Sequence, residues 1–212
     1  MQSSEHNRAL LTLVGTGSES AFLALVQRYE ASLMRVAGLW LDDPTQAAEL
    51  VAETWLKMLR RLDRFDEAAS LKGWLCSTLI ALIRLRLGPD SEAFLPALSP
   101  EEILPAVEPE RFSPPGDRWH GHWQTPPTAW PSLRADRIPS AELRAELEAA
   151  LERLRAAQRV VLVLRDMEGL SASEVCGALG ISELDQTGRL HQARSRLRAA
   201  LEQHHARKSG AA

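Results

Sequence analysis

The chain has little with which to cross-link itself or to enter a membrane. Its 212 residues hold two cysteines, Cys76 and Cys176, far apart and each set in a helical apolar pattern. Such thiols fit reduced core positions better than a disulfide framework. No apolar run approaches a membrane span, and the polar start MQSSEHNR lacks the apolar stretch of a secretory leader. A cytoplasmic protein without membrane insertion is expected. Strand-like alternation is nearly absent, which points away from sheets. Also missing are a Walker loop, Rossmann glycines, G-x-S-x-G and H-E-x-x-H, so neither a cofactor nor an enzymatic role is expected. Proline is scarce outside one segment, since eleven of the twelve lie between Gly88 and Pro139.

What is present is helical period. A short helix is expected around Ser4–Val14. Ser18 caps a helix from Glu19 to about Leu41, with Phe22, Leu25, Val26, Tyr29, Leu33 and Val36 on one stripe. Asp43-Pro44 is a start signal for a helix to about Leu62. Ser70 caps LKGWLCSTLIALIRLRL, which Gly88-Pro89 stops. That helix is apolar on most of its circumference, so it is buried or shields its second face with a partner.

Between residues 88 and 139 the texture changes to a long Pro-rich linker with little regular structure. It carries Trp119, Trp123 and Trp130, which an inert spacer would not need. Helical pattern restarts at Ser140, running to about Leu154, and again through AAQRVVLVLRDME to Gly169. Ser171 and Glu174 fit a capping box, Gly180 occupies the left-handed stop, and Ser182 caps a last helix to about His205. The fold class is all-α. The domains are 1–87, the linker 88–139, a helical domain 140–205, and a tail 206–212.

Charge is distributed unevenly beneath a net of −3. From Arg189 to Lys208 six basic residues face one acid, Glu202. The segment LSASEVCGALGISELDQTGRLHQARSRLRAAL has the layout of a helix-turn-helix. Val175, Cys176 and Leu179 point inward on its first helix, and Leu190, Ala193 and Leu197 on its second. Thr187, Arg189, His191, Gln192, Ser195, Arg196 and Arg198 are then outward or flanking, as a major-groove reader requires. A helical hairpin with a solvated charged face is the plain alternative. Glu183 and Asp185 at the helix start complement the helix dipole, worth about 0.3–1 kcal/mol each, or accept from cytosine. Gly188 costs the helix about 1 kcal/mol relative to alanine.

Glu49 and Glu53, at i and i+4, share one helix face. A catalytic carboxylate pair, a solvated face and a protein-binding face are all open. His120 and His122 lack a third ligand nearby, so no metal is expected. His204 and His205 read as solvated tail.

With these pieces in place, the chain resembles the extracytoplasmic-function (ECF) sigma factors, small two-domain members of the sigma-70 family of bacterial RNA polymerase sigma subunits. The resemblance rests on FLALVQRYEASLMRVAGLWLDDPTQAAELVAETWLKMLRRLDRF and LKGWLCSTLIALIRLRL in the first domain. In the second it rests on RVVLVLRDMEGLSASEVCGALGIS and RLHQARSRLRAAL. AAELVAETW stands where the family usually reads like AEDLVQETF. The linker RFSPPGDRWHGHWQTPPTAWP also resembles a motif of one subgroup.

The resemblance implies an RNA polymerase sigma factor directing core enzyme to specific promoters. It implies that Glu49, Leu50, Ala52, Glu53 and Leu56 meet the β′ clamp helices of core RNA polymerase. It assigns Arg60, Arg61, Arg64, Ser70, Lys72, Trp74, Ser77, Ala81, Arg84 and Arg86 to the −10 element. It assigns Ser182, Asp185, Gln186, Thr187, Gly188, Arg189, His191, Gln192, Ser195 and Arg196 to the −35 element, with the β flap as a further contact. The acidic linker residues Glu101, Glu102, Glu108, Glu110 and Asp117 would suit a channel built for RNA phosphates, or serve solubility alone. A masking anti-sigma factor is a further implied partner.

Two departures stand out. CSTLIA replaces a common YRIARN-like run, so Ser77, Ile80 and Ala81 stand where Arg or Asn is common. LDQTGRLHQAR replaces a common GTVKSRLHRAR, losing basic residues at Thr187 and Gln192 and predicting a shallower salt dependence. A sigma-like regulator that binds polymerase without efficient promoter melting is therefore the alternative function.

Overall fold

A computed structural model describes residues 2–62, 70–88, 109–126 and 141–209. The chain clusters into two compact units that do not follow chain order. One comprises residues 1–97 with 160–186, the other 98–159 with 187–212. No strand is present among the described residues.

The first unit begins with α1 (Gln2–Gly15), α2 (Glu19–Ala37), α3 (Pro44–Arg60) and α4 (Leu71–Leu87). The starts are set locally. The Ser18, Asp43 and Ser70 side chains accept from the amides of Ala21, Thr45 and Gly73, satisfying donors that a helix leaves open. α2 ends earlier than expected, at Ala37. A turn carries Leu39, Trp40 and Leu41 back into the core instead of extending the helix. α1 packs on α2, and α2, α3 and α4 pack on one another. Leu25, Leu33 and Val36 of α2 meet a core that includes Leu50, Val51 and Met58 of α3 and Leu75, Leu79, Ile80 and Ile83 of α4. Phe22 meets Trp55 edge to face at 5.8 Å. That is a favoured aromatic geometry.

The same unit receives the segment from Val160 to Gln186. α6 (Ala156–Leu162) passes into a π-helical turn, Val163–Met167, where a single α-helix was expected. The wider turn brings the Glu168 amide to 2.8 Å from the Val163 carbonyl. Gly169, at φ 71°, ends the run. α7 (Ala172–Leu179) opens on the expected capping box of Ser171 and Glu174. It closes on Gly180 at φ 64°. A side chain is disfavoured in that backbone region, and glycine is the usual occupant. α8 (Glu183–Ser209) follows, with Ser182 Oγ accepting from the Asp185 amide at 3.0 Å. α7 lies along α4, which answers why α4 is apolar nearly all round.

The second unit holds α5 (Ala141–Glu152), whose Ala150 is buried. Residues 109–126 hold little regular structure, as expected of the linker, yet they close into a loop. A 3-10 turn, Pro109–Arg111, leads to an antiparallel bridge between Phe112 and Trp123. The Ser113 amide donates to the His122 carbonyl at 2.8 Å, and the Gly121 amide to the Ser113 carbonyl at 3.1 Å. The Phe112 and Trp123 rings lie 4.4 Å apart, and the Arg111 guanidinium lies 5.8 Å from the Trp123 ring centre. Arg111 also pairs with Glu202 of α8 at 3.0 Å. Trp123 thus serves the loop closure, whereas Trp119 is 58% exposed. Trp130, Ser140, Glu101, Glu102 and Glu108 lie outside the described residues, as do the side chains of His204 and His205.

Candidate nucleic-acid and protein interfaces

Three surfaces carry the residues singled out by sequence. The first is α3. Its inner face buries Ala47, Leu50, Val51, Thr54, Trp55 and Met58. Its outer face exposes Glu49, Ala52 and, at 52%, Leu56, with Glu53 half-buried beside Lys57. The expectation that Leu50 forms part of a contact surface is corrected. Leu50 is 2% exposed because it points into the core on the same side as Ala47 and Thr54. What remains is a solvent-facing leucine with Glu49 and Glu53 on its N-terminal side and Lys57 and Arg60 beyond it. Glu49 also lies 3.7 Å from Arg86 of α4. An exposed pair of this kind carries little energetic weight.

The second group, expected to meet the −10 element, is spread over the end of α3 and several sides of α4. Arg60, Arg61, Ser70, Ala81 and Arg86 are exposed, and Trp74, Ser77 and Arg84 half-buried. Arg64 lies outside the described residues. Lys72 is occupied. Its Nζ lies 2.7 Å from the Glu168 carboxylate and donates to the Glu168 carbonyl at 2.7 Å. Glu168 also accepts from Ser32 Oγ and, at 2.6 Å, from Arg35 Nε. Burial alone pushes the Glu168 carboxyl up. Hydrogen bonds from Lys72, Ser32 and Arg35 outweigh it and hold the group below the usual carboxylate range. Arg84 donates to the Leu179 carbonyl at the C-terminal end of α7. Ser70, Gly73, Trp74 and Ser77 line an open cleft whose other wall is Ser171, Ser173 and Glu174. The neighbouring Cys76 is fully buried, and that burial, with the nearby Glu168 charge, pushes its thiol up to about 12. It is an inert core residue at neutral pH.

The third surface is α8. Ser182, Thr187 and His191 are exposed, and Asp185, Gly188, Ser195 and Arg196 half-buried. Three expectations are corrected here. Gln186, Arg189 and Gln192 are 3%, 1% and 5% exposed, so they belong to the buried side of the helix. Gln192 accepts at 2.6 Å from Gln158, which in turn accepts at 3.0 Å from Arg196. The Gln158 and Gln192 amides persist at this depth because each finds a partner. Leu190 and Ala193 are buried as expected, and Leu197 is half-buried.

Glu168, Ser32 and Arg35 were not singled out by sequence. An acid before a glycine and a serine in mid-helix carry no local mark. Their signal is the three-dimensional convergence alone. No helix among the described residues is long and apolar enough to cross a membrane. No group of three or more His, Cys, Asp or Glu poised for a metal occurs among them either.

Comparison with known proteins fits this layout. A family model described as Sigma-70 region 2 matches residues 25–87, and one described as Sigma-70, region 4 matches residues 144–197. The ECF RNA polymerase sigma factor SigE of Mycolicibacterium smegmatis is 26% identical over 196 residues, covering 89% of this chain and 66% of its own length. This chain thus spans just under two thirds of that relative. The solved structure of CnrH in complex with the cytosolic domain of CnrY has a TM-score of 0.53 at 22% identity, covering 93% of this chain and 97% of that one. The sigma factor RpoE, solved with the anti-sigma factor NepR from Bartonella quintana, has a TM-score of 0.52 at 17% identity, covering 85% of this chain and 96% of that one. These two likenesses are of fold. The two family models occur in order and together cover more than half of the sequence, and the chain belongs to the sigma-70 family, in its extracytoplasmic-function class.

Proposed function

We propose that the chain is a non-catalytic initiation subunit that binds core RNA polymerase in the cytoplasm and directs it to specific promoters. One observation carries this reading: regions 2 and 4 of the family occur in order, and the first presents two carboxylates and an exposed leucine on the outer face of α3. Glu49, Ala52, Glu53 and Leu56 are the residues assigned to the β′ clamp helices. An exposed leucine with two carboxylates on its N-terminal side suits a partner that offers an apolar seat and a basic edge.

The −10 role falls to Arg60, Arg61, Ser70, Lys72, Trp74, Ser77, Ala81, Arg84 and Arg86. Opening a base pair costs a few kcal/mol, which a half-buried tryptophan and neighbouring cations offset by stacking and phosphate contact. The −35 role falls to the exposed side of α8, from Ser182 through Thr187 and His191 to Ser195 and Arg196. Few cations remain there, so region 4 grips DNA lightly and polymerase supplies the remaining hold, with the β flap a contact for the same domain. The loop at 109–126 presents Trp119 and Trp123 to a partner in the complex. An anti-sigma factor, of the kind seen with RpoE, would regulate the chain by masking it.

A second reading has its own support. CSTLIA lacks the basic and amide side chains common in the family, and Lys72 is engaged by Glu168. A sigma-like regulator would hold polymerase without melting DNA. Gel filtration with purified core enzyme measures association, and permanganate reactivity of promoter thymines measures melting. The proposed function predicts both. Association without melting on any genomic promoter selects the regulator, and absence of association removes both readings.

A further inference from the structure

Glu168 is placed as a ligand would be. Its carboxylate side chain is 1% exposed, yet Arg35 and Lys72, which hold it, keep 46% and 27% of their side chains open to solvent. Ser32 of α2 adds a hydroxyl donor. Three donors from two helices thus converge on one anion, and that anion comes from the turn before α7. Carboxylate and phosphodiester groups ask for the same donors: each offers two oxygens sharing one negative charge. Lys72 belongs to the first turn of α4, where the helix dipole also favours an anion.

The seat of the α7 segment on α4 is built for close approach. A Cβ on Gly73 would lie 2.7 Å from Glu174 Cδ, so only glycine admits Glu174 there without a shift. Glu174 is itself fixed by its bond from the Ser171 amide at 2.8 Å.

We propose that Ser32, Arg35 and Lys72 form a site for a nucleic-acid backbone phosphate, and that Glu168 fills it in the chain alone. Glu168 is then an intramolecular competitor. Single-stranded DNA gains this site only when the segment bearing Glu168 leaves α4, and apparent affinity falls with the fraction of open chain. The proposal rests on the reading that α4 meets promoter DNA, and extends it to α2.

The test uses the full chain and a fluorescein-labelled single-stranded dT 12-mer, titrated at several salt concentrations. Glu168→Gln keeps the shape and removes the charge. It should bind the 12-mer about tenfold tighter than wild type, the least that hydrogen bonds to a charged group are worth. Adding Lys72→Ala or Arg35→Ala to Glu168→Gln should abolish that gain. A folded Glu168→Gln chain that binds no tighter overturns the site. Should Glu168→Gln not fold, Arg35→Ala alone decides. Loss of one phosphate contact should make the slope of log affinity against log salt shallower by about 0.7, and an unchanged slope overturns the proposal. Promoter-directed transcription by the wild-type protein separates the two readings. Transcription with no gain in Glu168→Gln removes the phosphate site alone, whereas the gain without any transcription removes the promoter role and leaves the site.

Discussion

α3 and α4 are neighbouring helices of 17 residues each, and they meet the rest of the molecule in opposite ways. α3 divides cleanly into a buried and an exposed side. α4 buries Leu71, Leu75, Cys76, Leu79, Ile80, Leu82 and Ile83 and has α7 laid along it. The contrast teaches where partners come from. A helix with one apolar stripe leaves its other face for an external protein. A helix apolar on most sides has taken part of its own chain as partner, and any other occupant must displace it.

The strongest way to break this comparison is to hollow out α4. Leu79 has no exposed surface. Leu79→Ala should therefore cost about 2–5 kcal/mol in urea denaturation. On α3 the solvent-facing Leu56 offers the opposite case. Leu56→Ala should change stability by at most about 0.5 kcal/mol while weakening polymerase binding. Similar losses for the two would erase the distinction between the helices.

Glu168→Gln sharpens the same contrast through pH. The folded carboxyl titrates below its ordinary value near 4.5, so its contribution to stability is complete above that value. It is lost as pH falls through the lower, folded value. With cations that remain partly exposed, the contribution at pH 7 is about 1–2 kcal/mol. The gap in urea stability between wild type and Glu168→Gln should therefore close below pH 4.5. A gap that widens on acidification would contradict the charge network.

Smaller effects follow at the edges. Ser171→Ala removes one half of the capping box. It should cost about 1 kcal/mol, read from thermal unfolding. The pair between Glu53 and Lys57 spans 3.7 Å with both side chains substantially exposed. Glu53→Lys should thus leave stability nearly unchanged. It should nonetheless reduce association with core polymerase by about tenfold or more in a pull-down titration, because a reversed charge meets the basic edge proposed for the partner.

Much of the fold was legible because its signals are local. Ser18, Asp43-Pro44, Ser70, the Ser171–Glu174 pair and Gly180 each announce a helix end through bonds within a few residues. The surplus apolar surface of α4 even announced a partner, though not which one. Illegible features depend on residues distant in sequence. Glu168 finds Ser32 across 136 positions, and Arg111 finds Glu202 across 91. The loop at 109–126 closes through a backbone pair between Phe112 and Trp123, which proline content conceals. On α8 the helical period identified Leu190 and Ala193 but not the width of the buried side, so Gln186, Arg189 and Gln192 were expected on the wrong face. Long polar side chains can lie along apolar surface, and Gln192 meets Gln158 there, a partner that periodicity does not reveal.

We propose that the chain brings polymerase to promoters by way of α3. Mapping transcript 5′ ends made by purified core enzyme on fragmented genomic DNA, with wild-type protein and with Glu53→Lys, tests it most directly. Discrete new start sites are expected with wild type, fading with Glu53→Lys. Start sites indistinguishable from those of core enzyme alone would contradict it.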